Sequence, residues 1–427
     1  MLAKLLSQIR NLIPRRLFNV ASRPYHYILA WLASIYYGHP SQNIKIVAIT
    51  GTKGKTTTAE LISAILEEAG YSTAISSTLR TKLGSRTIEN KYKMTTPGRF
   101  FLQRFLQRAV SEECDYAIIE VTSQAISQYR HRFIDLDAII FTGIHPEHIE
   151  AHGTFENYLN AKLALVKSLS SSYKRPRIIV ANDEDPYGQL FLDHEAEIRL
   201  GFNKAQAGDY KLDKKKTEFS FQDQSITANL PGEFNLLNIM ASIIFCTTQG
   251  VGVLAIKKGV EKLSGVPGRV EYIDSAEAHG LEVVIDYAHT TGSLEAIYEL
   301  FRDKKMVCVL GSCGGGRDKW KRPELARIAE ARCAKVILTN EDPYDEDPEA
   351  IIGDMLTGIK DTSSVIIEID RRKAIYTAYQ EAKKLGTDSV VVITGKGTDP
   401  YIMGARGSKL SWSDKLVAEE ELARLKD

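Results

Sequence analysis

Apolar and polar positions along this chain alternate with two different periods. Short β-branched runs at Ile44–Thr50, Tyr116–Val121, Ala138–Thr142 and Arg177–Ala181 predict buried strands. Between them, apolar residues recur at helical spacing in Thr57–Ala69, which closes at Gly70, and in Phe100–Ser111 and Phe155–Ser168. This rhythm predicts an α/β fold, a mainly parallel sheet covered by helices. The breaker cluster Gly265-Val266-Pro267-Gly268 reads as an interdomain hinge. A second series of strands follows at Glu282–Asp286, Lys305–Gly311, Lys335–Asn340, Ser364–Glu368 and Ser389–Thr394, predicting a second, Rossmann-like unit. The expected organisation is an N-terminal arm at 1–40, a central domain at 41–267 and a C-terminal domain at 268–427. No solenoid repeat or low-complexity segment interrupts it.

The arm has its own pattern. Leu2, Leu5, Leu6, Ile9, Leu12 and Ile13 recur at helical spacing, and a short apolar run follows at Ile28–Tyr37. That run is too short to span a bilayer, and charge interrupts the first apolar stretch, which argues against a secretory signal. Lys4, Arg10, Arg15, Arg16 and Arg23 precede the first strand, and no acid occurs before Glu60. Two readings follow: a helical arm packed on the body, with Trp31, Tyr36 and Tyr37 plugging a groove, or a weak peripheral contact of residues 1–38 with an anionic membrane surface.

Composition narrows the class without choosing within it. The 427 residues carry 55 Lys plus Arg against 54 Asp plus Glu, so bulk charge gives no pull toward nucleic acid. The five cysteines, Cys114, Cys246, Cys308, Cys313 and Cys333, are scattered without metal spacing. They fit a reducing cytoplasm and argue against a disulfide framework. A cytoplasmic monomer is expected.

The candidate chemistry begins at Gly51-Thr52-Lys53-Gly54-Lys55-Thr56-Thr57, between the first strand and first helix of the body. There, backbone N–H groups and a helix start converge on an anion. Glycines let the backbone approach phosphates, Lys55 can reach the β/γ oxygens, and the Thr56 hydroxyl can hold Mg²⁺. The loop is one residue shorter than the usual P-loop pattern. Nucleotide binding is expected on context.

Further motifs follow in order: Thr95-Thr96-Pro97, Glu120-Val121-Thr122-Ser123-Gln124-Ala125, His148…His152-Gly153-Thr154, Tyr158…Lys162, Gly232…Asn235…Asn238, Pro267…Arg269, Asp286-Tyr287-Ala288-His289, Arg317-Asp318-Lys319 and Gly395-Lys396-Gly397. Together with Gly51–Thr58 they resemble the Mur ligases, ATP-dependent peptide-bond-forming enzymes of cell-wall precursor assembly, and most of all the type that adds the third residue of the stem peptide. The resemblance spans residues 38–427 and implies a P-loop-type ATPase domain followed by a Rossmann-like, amino-acid-binding domain.

It also implies a reaction. The acceptor carboxylate attacks the ATP γ-phosphate, and the resulting acyl phosphate is displaced by the amine; positioning and charge cancellation do most of the work. By resemblance Lys55, Glu120, His148 and Lys162 are catalytic; Thr56, Glu120, His148 and a carbamylated Lys162 hold Mg²⁺. ATP would contact Gly51–Thr57, Asn235, Asn238, Arg269, Asp286, His289 and Lys319. Acceptor and amino acid would contact Thr95, Thr96, Ser123, Gln128, Arg130, Asp342, Tyr344, Gly395 and Asp399. By position alone, Lys162 is merely a helix-surface lysine, and only the resemblance gives it a role.

Departures from the pattern matter as much. The family's N-terminal domain, which holds the UDP-sugar end of the acceptor, has no counterpart in the arm, and only Leu32–Ser41 resembles its tail. Glu341-Asp342-Pro343-Tyr344 stands where diaminopimelate-adding enzymes carry D-N-P-R, whose Arg would grip a distal carboxylate. Asp399 stands where a Glu contacts the side-chain amine, so lysine or ornithine is expected over diaminopimelate. Gly143, Gln124 and Lys53 replace a usual Asn, His and Asn. Alternatives are another acceptor, such as a pseudomurein precursor or lipid-linked stem peptide, or a non-catalytic partner subunit.

Overall fold

Strand β1 (Lys45–Thr50) is buried from its second residue on, and its alternate side chains enter two different cores. The computed structural model describes residues 15–147 and 149–425, with side chains from residue 22 onward. The amphipathic stretch Leu2–Ile13 and the candidate ligand His148 lie outside the described residues. Beyond β1 the central sheet takes in β2 (Thr73–Ser76), β3 (Arg80–Leu83), β4 (Arg86–Glu89), β5 (Tyr116–Glu120), β6 (Ala138–Phe141), β7 (Ile178–Asn182) and β8 (Ile198–Phe202). Its order is β4-β3-β2-β5-β1-β6-β7-β8, parallel except for the β2-β3-β4 meander at one edge. Val47, Ile49, Ile118 and Ile140 face the helices Lys55–Glu68 and Glu233–Thr248. Ile46, Ala48, Ile119 and Ile139 face Arg99–Ser111 and Phe155–Ser170 on the other side. Strands covered on both faces read as continuous apolar runs, which is why pattern alone located them.

A small antiparallel sheet, β9 (Tyr210–Leu212), β10 (Thr217–Phe221) and β11 (Gln224–Ala228), lies beside this layer. The second large sheet holds β12 (Glu271–Tyr272), β13 (Val283–Asp286), β14 (Lys305–Leu310), β15 (Lys335–Leu338), β16 (Val365–Ile367) and β17 (Ser389–Thr394). Its order is β12-β13-β17-β14-β15-β16, with all pairs parallel except β12-β13. A hairpin of β18 (Tyr401–Met403) and β19 (Lys409–Ser411) follows. The fold is therefore α/β with a mainly parallel sheet in each half.

Two expectations are corrected here. Cys308, in β14, and Cys333, just past the helix Lys321–Arg332, form a disulfide, whereas the scattered spacing argues against a disulfide framework. The crossover helix carries Cys333 back beside β14, with the Cα atoms 6.1 Å apart, a proximity that linear spacing does not encode. The second correction concerns the arm. The helix Arg15–Tyr36 packs on the helix Arg99–Ser111, but not through Trp31 and Tyr36, which are exposed. Ala30 and Ala33 are buried instead, and the Tyr27 ring meets Tyr129 and Phe133 at 5.8 and 5.1 Å. The opposite face shows Ile28, Trp31, Leu32, Ile35 and Tyr36 to solvent. No described helix is long and apolar enough to cross a membrane.

Candidate active site

β1 delivers the chain into Gly51-Thr52-Lys53-Gly54, and the helix Lys55–Glu68 starts at once, with Thr56 and Thr57 buried in its first turn. Gly51 (φ 153°) and Gly54 (φ 82°) make the turn. A Cβ on Gly51 would lie 2.0 Å from Thr142 Oγ1, and one on Gly54 2.2 Å from Asn238 Oδ1. The loop is pressed against its neighbours so closely that only glycine fits. Thr52 N donates to Gly143 O (2.8 Å), and its hydroxyl pairs with Tyr158 Oη (2.9 Å). Beneath it, Asn238 Nδ2 donates to Asn235 Oδ1 (3.2 Å) and Asn235 Nδ2 to Pro231 O (2.8 Å). A helix N-terminus behind a glycine-lined turn is a ready anion site.

Two ammonium groups share one carbonyl of this loop. Lys55 Nζ donates to Gly51 O (2.8 Å) and Thr52 O (3.0 Å), and Lys162 Nζ donates to Gly51 O (3.0 Å). Lys162 is 1% exposed, and its nitrogen lies 4.9 Å from the Tyr158 ring centre. Burial, then the Lys55 charge, hold its pKa well below the ordinary lysine value. Burial also lowers Lys55, with Glu120 opposing. At the end of β5, burial raises the Glu120 carboxyl, against Lys55 and hydrogen bonds from Thr78 and Thr56. Thr78 donates its N–H to Glu120 Oε1 (3.1 Å), and its hydroxyl lies 2.9 Å from both Glu120 Oε2 and Thr95 Oγ1. Thr96 Oγ1 donates to Glu120 O (2.9 Å) and accepts from Thr122 N (3.0 Å). Arg130 donates to Thr96 O and to Gln128 Oε1 (2.7 Å), and Ser123 Oγ lies 3.0 Å from His152 Nε2. Thr95, Thr96, Ser123, Gln128 and Arg130 thus gather at the carboxyl end of β5.

The second sheet faces this loop. Arg269 lies over the Tyr287 ring at 4.1 Å, Asp286 accepts from Val270 N (2.8 Å) and Ala288 N (2.7 Å), and His289 Nδ1 bonds Tyr287 O (2.8 Å). Lys53 reaches across to Gly292, where a Cβ would sit 2.8 Å from its ammonium. Burial pushes Lys53 down to about 8, although Glu147, Glu295 and Asp286 pull the other way. A cavity of ≈ 540 Å³ opens between His145 and Pro146 on one side and Thr290, Gly292, Glu295 and Trp320 on the other. Motif reading missed two contacts that tie the sides together. Lys321 and Glu147 form a buried ion pair (2.8 Å), and the Asp318 carboxylate accepts from Glu150 N (3.0 Å). Lys319 is not drawn into this group; it is exposed and pairs with Glu346 at 3.0 Å.

A second polar cluster surrounds Gly395 (φ 105°), where a Cβ would lie 2.6 Å from Glu341 Oε2. Lys396, fully buried, donates to Asp342 Oδ1 (2.9 Å), Asp399 Oδ2 (3.3 Å) and Tyr401 O (2.6 Å). Burial works to raise the Asp342 carboxyl, but Lys396 and Lys93 outweigh it and hold it below its usual range. Tyr344 (φ 54°) is hydrogen-bonded to Arg317, a cation the motif reading did not place here.

Residues 49–246 match the Mur ligase middle domain, and 268–397 match the Mur ligase, glutamate ligase domain. A UDP-N-acetylmuramoyl-L-alanyl-D-glutamate--2,6-diaminopimelate ligase of Clostridium tetani is 35% identical over 385 residues, covering 87% of this chain and 76% of the relative. The chain belongs to the Mur ligase family. The enzyme of the same name from Syntrophomonas wolfei is 36% identical over 408 residues, covering 92% of this chain and 81% of its own. A solved structure of a Mur ligase with that name superposes with TM-score 0.58 at 27% identity, covering 89% and 78% of the two chains. Folylpolyglutamate synthase of Mycobacterium tuberculosis complexed with ADP shares the fold, with TM-score 0.67 at 17% identity over 92% and 96%. Mur ligases are ATP-dependent amide ligases, so this chain is an enzyme of that class. The other-acceptor and non-catalytic alternatives are not favoured.

Proposed function

We propose that the chain joins an amino acid to the peptide carboxylate of a peptidoglycan precursor, forming ADP and phosphate. The observation that carries this reading is the convergence of Lys55, Lys162, Thr56 and Glu120 on one glycine-lined loop. The loop N–H groups and helix start hold the triphosphate. Lys55 leaves the Gly51 and Thr52 carbonyls to meet the β/γ oxygens. The acceptor carboxylate attacks the γ-phosphorus, the bond to the bridging oxygen breaks, and ADP leaves. The amine then attacks the acyl carbon, phosphate departs with the electron pair, and the surplus proton passes to solvent. Closure of residues 268–427 on 41–267 about the 265–268 hinge keeps water from the acyl phosphate.

Lys162 suits carbamylation. Its buried amine donates to a backbone carbonyl, and among the described residues it has no carboxylate within ion-pair reach. Its depressed pKa supplies the neutral amine that adds CO₂. Thr56 and Glu120 would hold one Mg²⁺; Glu120, the Lys162 carbamate and His148, the last on its motif alone, would hold a second. When bound, Mg²⁺ cancels charge between phosphates and carboxylate. Thr95, Thr96, Ser123, Gln128 and Arg130 border the acceptor, and Asn235, Asn238, Arg269, Asp286 and His289 border the nucleotide. The amine pocket is Asp342, Tyr344, Gly395 and Asp399, suited to a side chain that ends in an ammonium. The chain acts as a cytoplasmic monomer, its basic arm making weak contact with anionic lipid.

Phosphate release tests the reading. It should require ATP, Mg²⁺, a UDP-muramoyl dipeptide and an amino acid together. AMP and pyrophosphate as products would overturn it.

A further inference from the structure

Lys93 lies in the loop after β4, two residues before Thr95, yet its ammonium sits in the pocket of the second sheet. It ion-pairs with Asp342 and with Asp399 (3.3 Å), donates to Tyr401 O (3.3 Å) and lies 6.0 Å from the Tyr344 ring centre. The side chains are nearly dry: 15% exposed for Lys93, 2% for Asp342 and 11% for Asp399. Asp342 and Asp399, buried this close and with Glu341 beside them, call for cations to balance them. Lys396 is one, anchored wholly within the second unit by Asp342, Asp399 and Tyr401. Lys93 is the other, brought from the first unit by a backbone in the left-handed region (φ 53°).

We propose that Lys93 is a specificity-determining residue that fills the amine substrate's side-chain pocket and gives way only to an incoming ammonium. This rests on Asp342 and Asp399 being the amine pocket. A terminal ammonium replaces Lys93 like for like, leaving both carboxylates paired. A neutral side chain of the same length would leave them short of one cation, so Lys93 stays and the pocket stays filled. The exchange is also a signal. Asn90 Nδ2 holds the loop through Ser77 O (2.8 Å) and Met94 O (3.0 Å), and the loop runs directly into Thr95 and Thr96 beside Glu120. Arrival of the amine thereby releases the Lys93 end of this loop from the second unit.

Amide hydrogen exchange of residues 90–96 in the full chain tests this without turnover. L-lysine or L-ornithine should raise exchange there, whereas L-norleucine should not. Lys93→Met should show the raised exchange without any amine and bind labelled L-lysine about tenfold more tightly. Lys93→Arg should restore the wild-type pattern. Overturning results would be wild-type exchange unmoved by both diamines, or Lys93→Met binding L-lysine no better than wild type. If the diamines move the loop but no amine supports phosphate release from ATP, the ligase reading fails while the exchange stands.

Discussion

Lys162 and Lys55 lie 107 positions apart in the chain, yet their ammonium nitrogens donate to the same oxygen, Gly51 O, at 3.0 and 2.8 Å. Two cations at one neutral acceptor repel each other, and both are buried. The arrangement favours whatever removes the Lys162 charge, and carbamylation does so while adding an anion.

Stability should follow that charge. Between the depressed Lys162 pKa and the ordinary value of 10.5, the unfolded chain holds a proton that the native chain does not. Native stability therefore climbs with pH across that window and is lost as pH falls toward the native pKa. Denaturant unfolding between pH 6 and 9 should show a shallower climb for Lys162→Met. In assays, Lys162→Ala should be nearly inactive and partly rescued by small carboxylates; full activity without them would exclude the role.

Lys55→Ala removes a buried cation at the loop proposed to hold the triphosphate. Its turnover should fall about 10²–10³-fold, the usual loss for one electrostatic donor to a transition state. Nucleotide affinity measured by calorimetry should fall much less.

Amine choice should favour lysine or ornithine over diaminopimelate. Tyr344 offers no bidentate grip on a distal carboxylate, and Asp399 prefers an ammonium. Competition assays decide it. A clear preference for diaminopimelate would hand the carboxylate to Arg317, which bonds Tyr344.

Lys321→Ala should destabilise the chain by about 3–5 kcal/mol, because it leaves Glu147 buried without its partner. Chemical denaturation measures this. A loss under 1 kcal/mol would mean that water re-enters between the two sheets.

The arm should bind anionic vesicles weakly and in a salt-sensitive way. The stripe Ile28, Trp31, Leu32 and Ile35 is open to solvent, and five cations precede it. Each cation near an anionic leaflet contributes about 1 kcal/mol. Co-sedimentation should disappear on deleting residues 1–24 without unfolding the body. No binding at low salt would reduce the helix to packing through Ala30 and Ala33.

The sequence by itself determined the two parallel sheets, the glycine-lined turn after β1 and the order of the motifs. Strands such as β1, β5 and β17 are covered on both faces, so their apolar runs are unbroken and their ends fall within a residue or two of the pattern. It did not reveal the β2–β4 meander or β9–β11. These strands are three to five residues long, and β4 is exposed throughout with Ile88 its single apolar residue, so no apolar run marks it. Tertiary structure alone decided which charges meet. Lys319 turned to Glu346, Lys321 took the inter-sheet contact, Lys93 crossed 249 positions to Asp342, and Cys333 returned to Cys308. Hydrophobic period is a local property, written where it acts. Pairing of buried charges and thiols depends on how crossover helices and loops return the chain, and no spacing along it records that distance.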